Sequence, residues 1–486
     1  MTEAGSGVLD RRRAGVLLHA TSLPGAAHGA LGAAARSFID WLALAGFSVW
    51  QMLPLGPVGQ DRSPYYGRSN HAGDPGLIDL ETLAAAGLIE AAELRDTPRA
   101  AALARAGQRL RERAGDDGAA FAAFLASEQY WLADYALFTA IQARESGRPW
   151  WEWPAELRWR DLGALARARA ELKAGCADVE SGQFFFHTQY RGLRVYAAAR
   201  GVQLFGDIPI YVAPDSVEVW AHPQLFQLDE SGRPSAVAGV PPDYFSADGQ
   251  LWGNPLYRWD EHERSGFAWW IERLRAQFEL FDLVRLDHFR GLSAYWAVPA
   301  GARTAATGEW RPASGEKLLL RAREVFGRLN VVAEDLGVIT PDVERLRDAF
   351  GLPGMRVAQF GFDGNSGNLH LPHNWSARSI AYTGTHDNDT TAGWFAGLAP
   401  EFRAQAQDYL GSPAAQIVSA LSRAVLASVA ALAVIPMQDL LGLGREARMN
   451  TPGTVVDNWG WKLDWPQVPP GLGARYRRLN ELYGRS

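Results

Sequence analysis

The stretch FDLVRLDHFRG, residues 281–291, runs from an apolar segment straight into two arginines, an aspartate and a histidine. An apolar run this short, closed by polar residues, reads as a buried strand. Strand side chains alternate, so Arg285 and Asp287 share one face and Val284 and Leu286 the other. A charge pair on an inward face adds little stability, because desolvation offsets the attraction. Such a pair is either an ion pair plugging the core or part of a site. Seven further runs have the same character: AGVLLH (14–19), FSVWQMLPL (47–55), VQLFGDIPI (202–210), NVVAEDLG (330–337), MRVAQFGF (355–362), SIAYTGTHD (379–387) and ALAVIPMQD (431–439). Helical spacing of apolar residues appears in 35–45, 264–279, 316–327, 341–350 and 412–428. Thr340-Pro341-Asp342 opens one of these with an N-cap residue, a proline in the first turn and an acid at the positive end of the dipole. Strands alternating with helices predict parallel pairing, and eight such units predict a closed (β/α)8 TIM barrel.

Two connections are too long for a bare barrel. Residues 56–201 follow the second run and residues 211–280 the third. The first is expected to be a mostly helical insertion, with EQYWLADYALFTAIQAR (128–144) as one helix and the Ala/Arg-rich stretch 93–114 as a solvated helical lobe. The second includes the Gly/Pro-rich segment 238–255, with Tyr244, Phe245 and Trp252, which reads as a loop able to act as a lid. Both insertions are expected to form lobes around the mouth of one catalytic barrel domain spanning residues 1–486.

The 486 residues carry a net charge of −6, which offers no electrostatic reason to expect nucleic acid or an anionic membrane as partner. The single cysteine, Cys176, excludes an intrachain disulfide and a cysteine-based zinc site. Arg11–Arg13 precede only a short apolar stretch, which His19 interrupts, so no secretory signal is expected. The apolar run Ala424 to Met437 falls short of the ~18 residues a spanning helix needs. A cytoplasmic protein is expected. The tryptophans are numerous and often flanked by polar residues, as in RPWWEWP (148–154) and GQLWGNPLY (249–257), which suits stacking against sugar faces as well as core packing.

His19, Asp207, Arg285 with Asp287, Glu334, His386 with Asp387, and Gln438 with Asp439 all lie toward the C-terminal ends of their runs. That is the end at which a (β/α)8 enzyme builds its site. Asp287, Glu334 and Asp387 stand out. Retaining glycoside chemistry needs two carboxyl groups ~5–5.5 Å apart, and neighbouring strands ~4.8 Å apart suit that separation. Spacing alone leaves a divalent cation on HDND (386–389) open. A phosphotransferase reading is weakened because no GxxxxGK[ST] phosphate loop is present.

With these residues in view, the sequence resembles the amylomaltases, the 4-alpha-glucanotransferase family of the alpha-amylase clan. The resemblance rests on an ordered series: GVLLHATSLPG (15–25), WQMLPLGP (50–57), SPYYGRSNHAGDPGLIDL (63–80), GDIPIYVAPDSVEVWAHP (206–223), AGVPPDYFSADGQLWGNPLYRW (238–259), VRLDHFRG, VVAEDLGVITPDVERLRDAFGLPGM (331–355), YTGTHDNDTT (382–391) and EARMNTPG (446–453). It implies Asp287 as nucleophile, Glu334 as general acid/base and Asp387 as the third carboxylate, gripping sugar hydroxyls. It further implies substrate contacts from Tyr65, Asp207, Gln250, Trp252, Arg285, His288, Phe360, His386 and Asn458, with Gln250 and Trp252 on the acceptor side. No metal and no organic cofactor is implied, and the substrates are malto-oligosaccharides and starch-like α-glucans. Glu334 should have its acidity weakened by burial and by its carboxylate neighbours. The alternatives are an α-1,4-glucan hydrolase on the same scaffold and a glucan-binding protein without catalysis. The chain departs from the family pattern at Gln60, at Tyr66 and Gly67, at Asn70-His71 (commonly Ala-Phe), at Asp74 and Gly76, and at Asp457.

Overall fold

Each of the eight apolar runs forms a parallel strand, and the eight close on themselves. The computed structural model describes residues 7–26, 29–59, 61–242, 248–454 and 456–486. The barrel strands are β1 (Arg13–Leu17), β2 (Val49–Gln51), β3 (Gln203–Ile208), β6 (Leu283–Leu286), β9 (Val331–Ala333), β10 (Gly354–Val357), β11 (Ser379–Tyr382) and β12 (Leu432–Pro436). They are ordered β1-β12-β11-β10-β9-β6-β3-β2, so the first strand pairs with both the second and the last. This is the (β/α)8 TIM barrel that the alternation of elements predicts.

Period-two alternation sorts the side chains. Leu17, Val49, Phe205, Leu283, Val332 and Val434 belong to the cluster that fills the barrel. Their neighbours Val16, Trp50, Leu204, Val284, Val331 and Ala433 pack outward against helices. Helix Ala33–Leu44 shows why: it buries Ala35, Phe38, Ile39 and Leu42 along one stripe. Phe38 meets the edge of Trp50 at 5.1 Å, and Trp50 donates its indole N–H to Leu18 O at 2.8 Å. Helix Pro341–Ala349 begins where expected, with Thr340 in extended N-cap geometry, but the Thr340 side chain makes no cap bond.

Between β2 and β3 lie helices, the longest being Asp116–Arg144 and Lys173–Ala198. Phe121 and Phe124 of the first meet Phe184 of the second edge to face. The Ala/Arg-rich stretch is not solvated all round. Helix Arg99–Glu112 buries Ala102, Ala106 and Leu110, and a Cβ on Gly107 would lie 2.7 Å from Ser181, so small residues there allow close helix contact. Segment 238–255 also differs from the expected loop, because its flanks are strands. β4 (Ala236–Val240) and β5 (Gln250–Pro255) join β7 (Ala294–Pro299) and β8 (Glu309–Pro312) in a separate antiparallel sheet ordered β5-β4-β7-β8. The pairing partner for β4 comes from the connection after β6, some 55 residues away in the chain, and local reading cannot supply it. Tyr244 and Phe245 lie outside the described residues.

Trp150 and Trp153 of RPWWEWP are core residues, fully buried, with indole N–H groups given to Pro214 O and Arg148 O. Among the described residues no helix is long and apolar enough to cross a membrane.

Gly206 in β3 has no room for a methyl group: a Cβ there would lie 2.2 Å from the ring of buried Phe281. Gly206→Ala should therefore cost about 1–3 kcal/mol of stability. The expected result is a lower melting midpoint at a fixed scan rate, and an unchanged midpoint would mean that Phe281 shifts without cost.

Candidate active site

β3 and β6 are in register so that Asp207 pairs directly with Arg285 at their C-terminal ends. Arg285 Nη1 donates to Asp207 Oδ2 at 2.7 Å, and Nη2 donates to Asp287 Oδ1 at 2.6 Å. Tyr65, carried on the turn Pro64–Tyr66, donates its hydroxyl to the same Asp207 oxygen at 2.7 Å. Arg285 and Asp207 are buried, and Asp207 Oδ1 has no hydrogen-bond partner among the described residues. Burial pushes the Asp207 carboxyl up to about 7; the Arg285 charge opposes this and the Asp287 charge adds to it.

The chain breaks out of β6 at Asp287, whose N–H still donates to Ile208 O, and turns through His288 at φ 46°. A left-handed histidine is an uncommon backbone state that its surroundings must hold in place. Here the turn aims the His288 N–H at Glu334 Oε2, 2.7 Å away. Leu336 N–H donates to the other oxygen at 2.8 Å. Glu334 follows β9 and is itself buried. Burial, reinforced by Asp287, holds its carboxyl up at about 7 against Arg285 and the two N–H groups. The His288 ring, kept neutral by burial with a pKa of about 4, meets the Trp252 ring at 4.8 Å, nearly perpendicular. Trp252 Nε1 donates to Gln250 Oε1 at 3.1 Å, so β5 brings both residues to this wall.

Asp387 lies beyond β11, more open than Glu334, with 41% of its side chain exposed. Asn450 Nδ2 donates to its Oδ1 at 2.6 Å, and Arg448 Nη2 donates to its backbone O at 2.7 Å. His386 Nε2 stands 3.4 Å from Asp387 Oδ2, and the Tyr65 ring stacks on the His386 ring at 5.2 Å. Burial lowers the His386 pKa and favours the neutral ring, whose buried Nε2 has no hydrogen-bond partner among the described residues. A cleft lined by Leu18, His19, Ser22, His386, Arg448 and Met449 lies alongside. Asp389 is occupied elsewhere, accepting from Thr390 N and Arg445 Nε. Among the described residues no group of three or more His, Cys, Asp or Glu side chains is arranged to hold a metal ion.

The structure thus gathers Tyr65, Asp207, Arg285, Asp287, His288, Glu334, His386 and Asp387, with Trp252 and Gln250 joined through His288. Two other expected residues do not join by direct bonds. Asn458 closes its own turn, accepting from Thr451 N and donating to Thr454 O. Phe360, 38% exposed, makes its ring contact with His370. Three residues outside the expected set do reach the site: Asn450, Arg448 and Trp459, whose ring lies about 6 Å from those of Tyr65 and His386. Asn450 and Arg448 sit in the motif EARMNTPG, which was the available signal. Trp459 had none, because it lies some 70 residues in sequence from His386.

Gln438 and Asp439 at the end of β12 serve the frame. Asp439 accepts from Thr383 Oγ1, Thr391 N and Thr391 Oγ1, tying β12 to β11 and to the start of the next helix.

Residues 18–467 match the family model described as 4-alpha-glucanotransferase, Glyco_hydro_77. The 4-alpha-glucanotransferase of Thermus thermophilus is 49% identical over 98% of this chain and 99% of its own length. That of Synechocystis is 45% identical over 98% and 99%. The solved amylomaltase from Streptococcus agalactiae, in complex with acarbose, superposes with a TM-score of 0.93 at 37% identity, covering 98% of this chain and 100% of that one. The chain belongs to the 4-alpha-glucanotransferase family, the amylomaltases, and is an enzyme of that activity.

Proposed function

We propose that the chain moves α-1,4-glucan segments between malto-oligosaccharides or starch-like glucans by a retaining double displacement. Asp287 attacks the anomeric carbon while Glu334 gives its proton to the departing glycosidic oxygen, leaving a covalent glucosyl-enzyme. The 4-hydroxyl of an acceptor sugar then returns a proton to Glu334 and attacks the same carbon, releasing Asp287. Asp387 and neutral His386 take sugar hydroxyls and strengthen those bonds as the ring flattens. Tyr65 packs beside His386 as the floor under that sugar.

One observation carries this reading. Arg285 holds Asp287, and the backbone N–H of the next residue, His288, holds Glu334, so the acid is anchored beside the nucleophile. Transfer rather than hydrolysis is supported by the family and by the Trp252–His288 wall, which offers an acceptor sugar an aromatic surface. Incubated with maltotriose alone, the enzyme should yield glucose and longer chains at constant reducing ends. Rising reducing ends with only shorter products would make it a hydrolase.

Asp287→Asn should lower turnover by about 10⁴-fold or more while glucan binding stays measurable by calorimetry. Near-wild-type activity would remove Asp287 from the chemistry. Glu334→Gln should lose about 10²–10⁴-fold on maltotriose, yet recover its first step on α-maltosyl fluoride, whose leaving group needs no proton. Failure to recover, in a folded and binding-competent variant, would count against Glu334 as acid.

Because Glu334 must start protonated and burial holds its carboxyl up at about 7, kcat/KM on maltotriose should fall as pH rises through that value. On α-maltosyl fluoride the limb should vanish. A limb that persists with the fluoride would belong to Asp207, raised for the same reason.

A further inference from the structure

The antiparallel sheet β5-β4-β7-β8 has a face that the catalytic reading does not use. Cross-strand register sets Trp310, Trp296, Gly239 and Leu251 in one row across its four strands. Trp252 lies on the opposite face, toward His288. Trp310 is 40% exposed on the edge strand, and its indole N–H has no hydrogen-bond partner among the described residues. Trp296, half-buried beside it at 5.2 Å, spends its own N–H on Ala305 O.

What distinguishes this tryptophan is its link to the catalytic loops. The Arg290 guanidinium lies over the Trp310 ring, 4.0 Å from its centre. Arg290 is two residues beyond His288 in the turn that carries Asp287, and its Nη1 donates to the carbonyl of Val338, four residues beyond Glu334. The aromatic patch is therefore continuous with the rim that holds nucleophile and acid. Trp159, the other comparably exposed tryptophan, contacts Trp150 and lies on no loop bearing a catalytic group.

An exposed indole whose N–H has no partner among the described residues, with a guanidinium over its ring and the self-paired Glu309 and Arg311 beside it in the strand, suits an uncharged polyhydroxylated ligand. We propose that Trp310, with Arg290 and Trp296, is an accessory platform for a long α-1,4-glucan chain, engaging sugar residues beyond those at the reacting bond. This rests on the glucanotransferase reading and extends it to chain-length preference: short donors would not reach the platform, and long ones would.

The test compares wild type with Trp310→Ala and Trp310→Gln; the second keeps bulk on the edge strand, so the readout does not depend on one variant folding. Retardation in native gels containing soluble amylose measures long-chain affinity. The ratio of kcat/KM on amylose to kcat/KM on maltotriose measures its use in turnover. Both are expected to fall about tenfold, the loss of one aromatic contact. Retardation and ratio equal to wild type in the folded variants would overturn the platform. So would sedimentation showing that wild type self-associates through this patch and the variants do not. Absence of transfer from maltotriose in the wild type would instead sink the functional reading, while Trp310-dependent retardation on amylose could still be read.

Discussion

A guanidinium shut away from water needs negative charge beside it, and Arg285 has it on both sides, in Asp207 and Asp287. Taking Arg285 and Asp207 out of solvent costs several kcal/mol per ion, and mutual attraction recovers that only with close geometry. The geometry comes from the parallel register of β3 and β6, which sets Asp207 opposite Arg285, and from the two-residue spacing that points Asp287 the same way. Tyr65, from the insertion after β2, then binds Asp207 and stacks on His386 at the far side of the mouth. One buried cation thus holds together residues from β3, β6 and the first long connection.

Around that cation two carboxyl groups have been given different surroundings. Glu334 is buried, and desolvation outweighs the two N–H groups that would favour its charged form. Asp387 is partly open to solvent and is held by an amide, Asn450, with the His386 ring beside it. The roles proposed for them, proton donor and hydroxyl-gripping carboxylate, need different surroundings, and the difference arises from position alone, since both are ordinary carboxylic acids. The left-handed turn at His288 belongs to the same arrangement, because it converts the end of β6 into a donor for Glu334.

The aromatic residues divide by hydrogen bonding more than by neighbours in sequence. Trp50, Trp150, Trp153 and Trp220 are buried and give their N–H groups to backbone carbonyls. Trp252 is half-buried and bonds a side chain that is itself at the site. Trp310 is 40% exposed, and its N–H has no hydrogen-bond partner among the described residues. The polar company of RPWWEWP in the sequence did not anticipate its burial, because the residues that cover it, such as Pro214 and Gly232, arrive from another connection.

Much of the fold and of the candidate site was legible from residue order. Eight short apolar runs ending in polar groups are enough to specify a closed parallel barrel, since alternation assigns each side chain to lumen or helix and chemistry collects at the strand ends. Asp207, Arg285, Asp287, Glu334, His386 and Asp387 were visible for that reason. Long-range packing settled what depends on the chain crossing long distances: the sheet that takes up the flanks of 238–255 as β4 and β5, the approach of Asn450 and Trp459 to Asp387 and His386, and the turning of Asn458 into its own loop. Local pattern fixes which face a side chain takes, because that follows from backbone geometry within a few residues. Which distant segment it meets follows from packing of the whole, and no short-range periodicity records it.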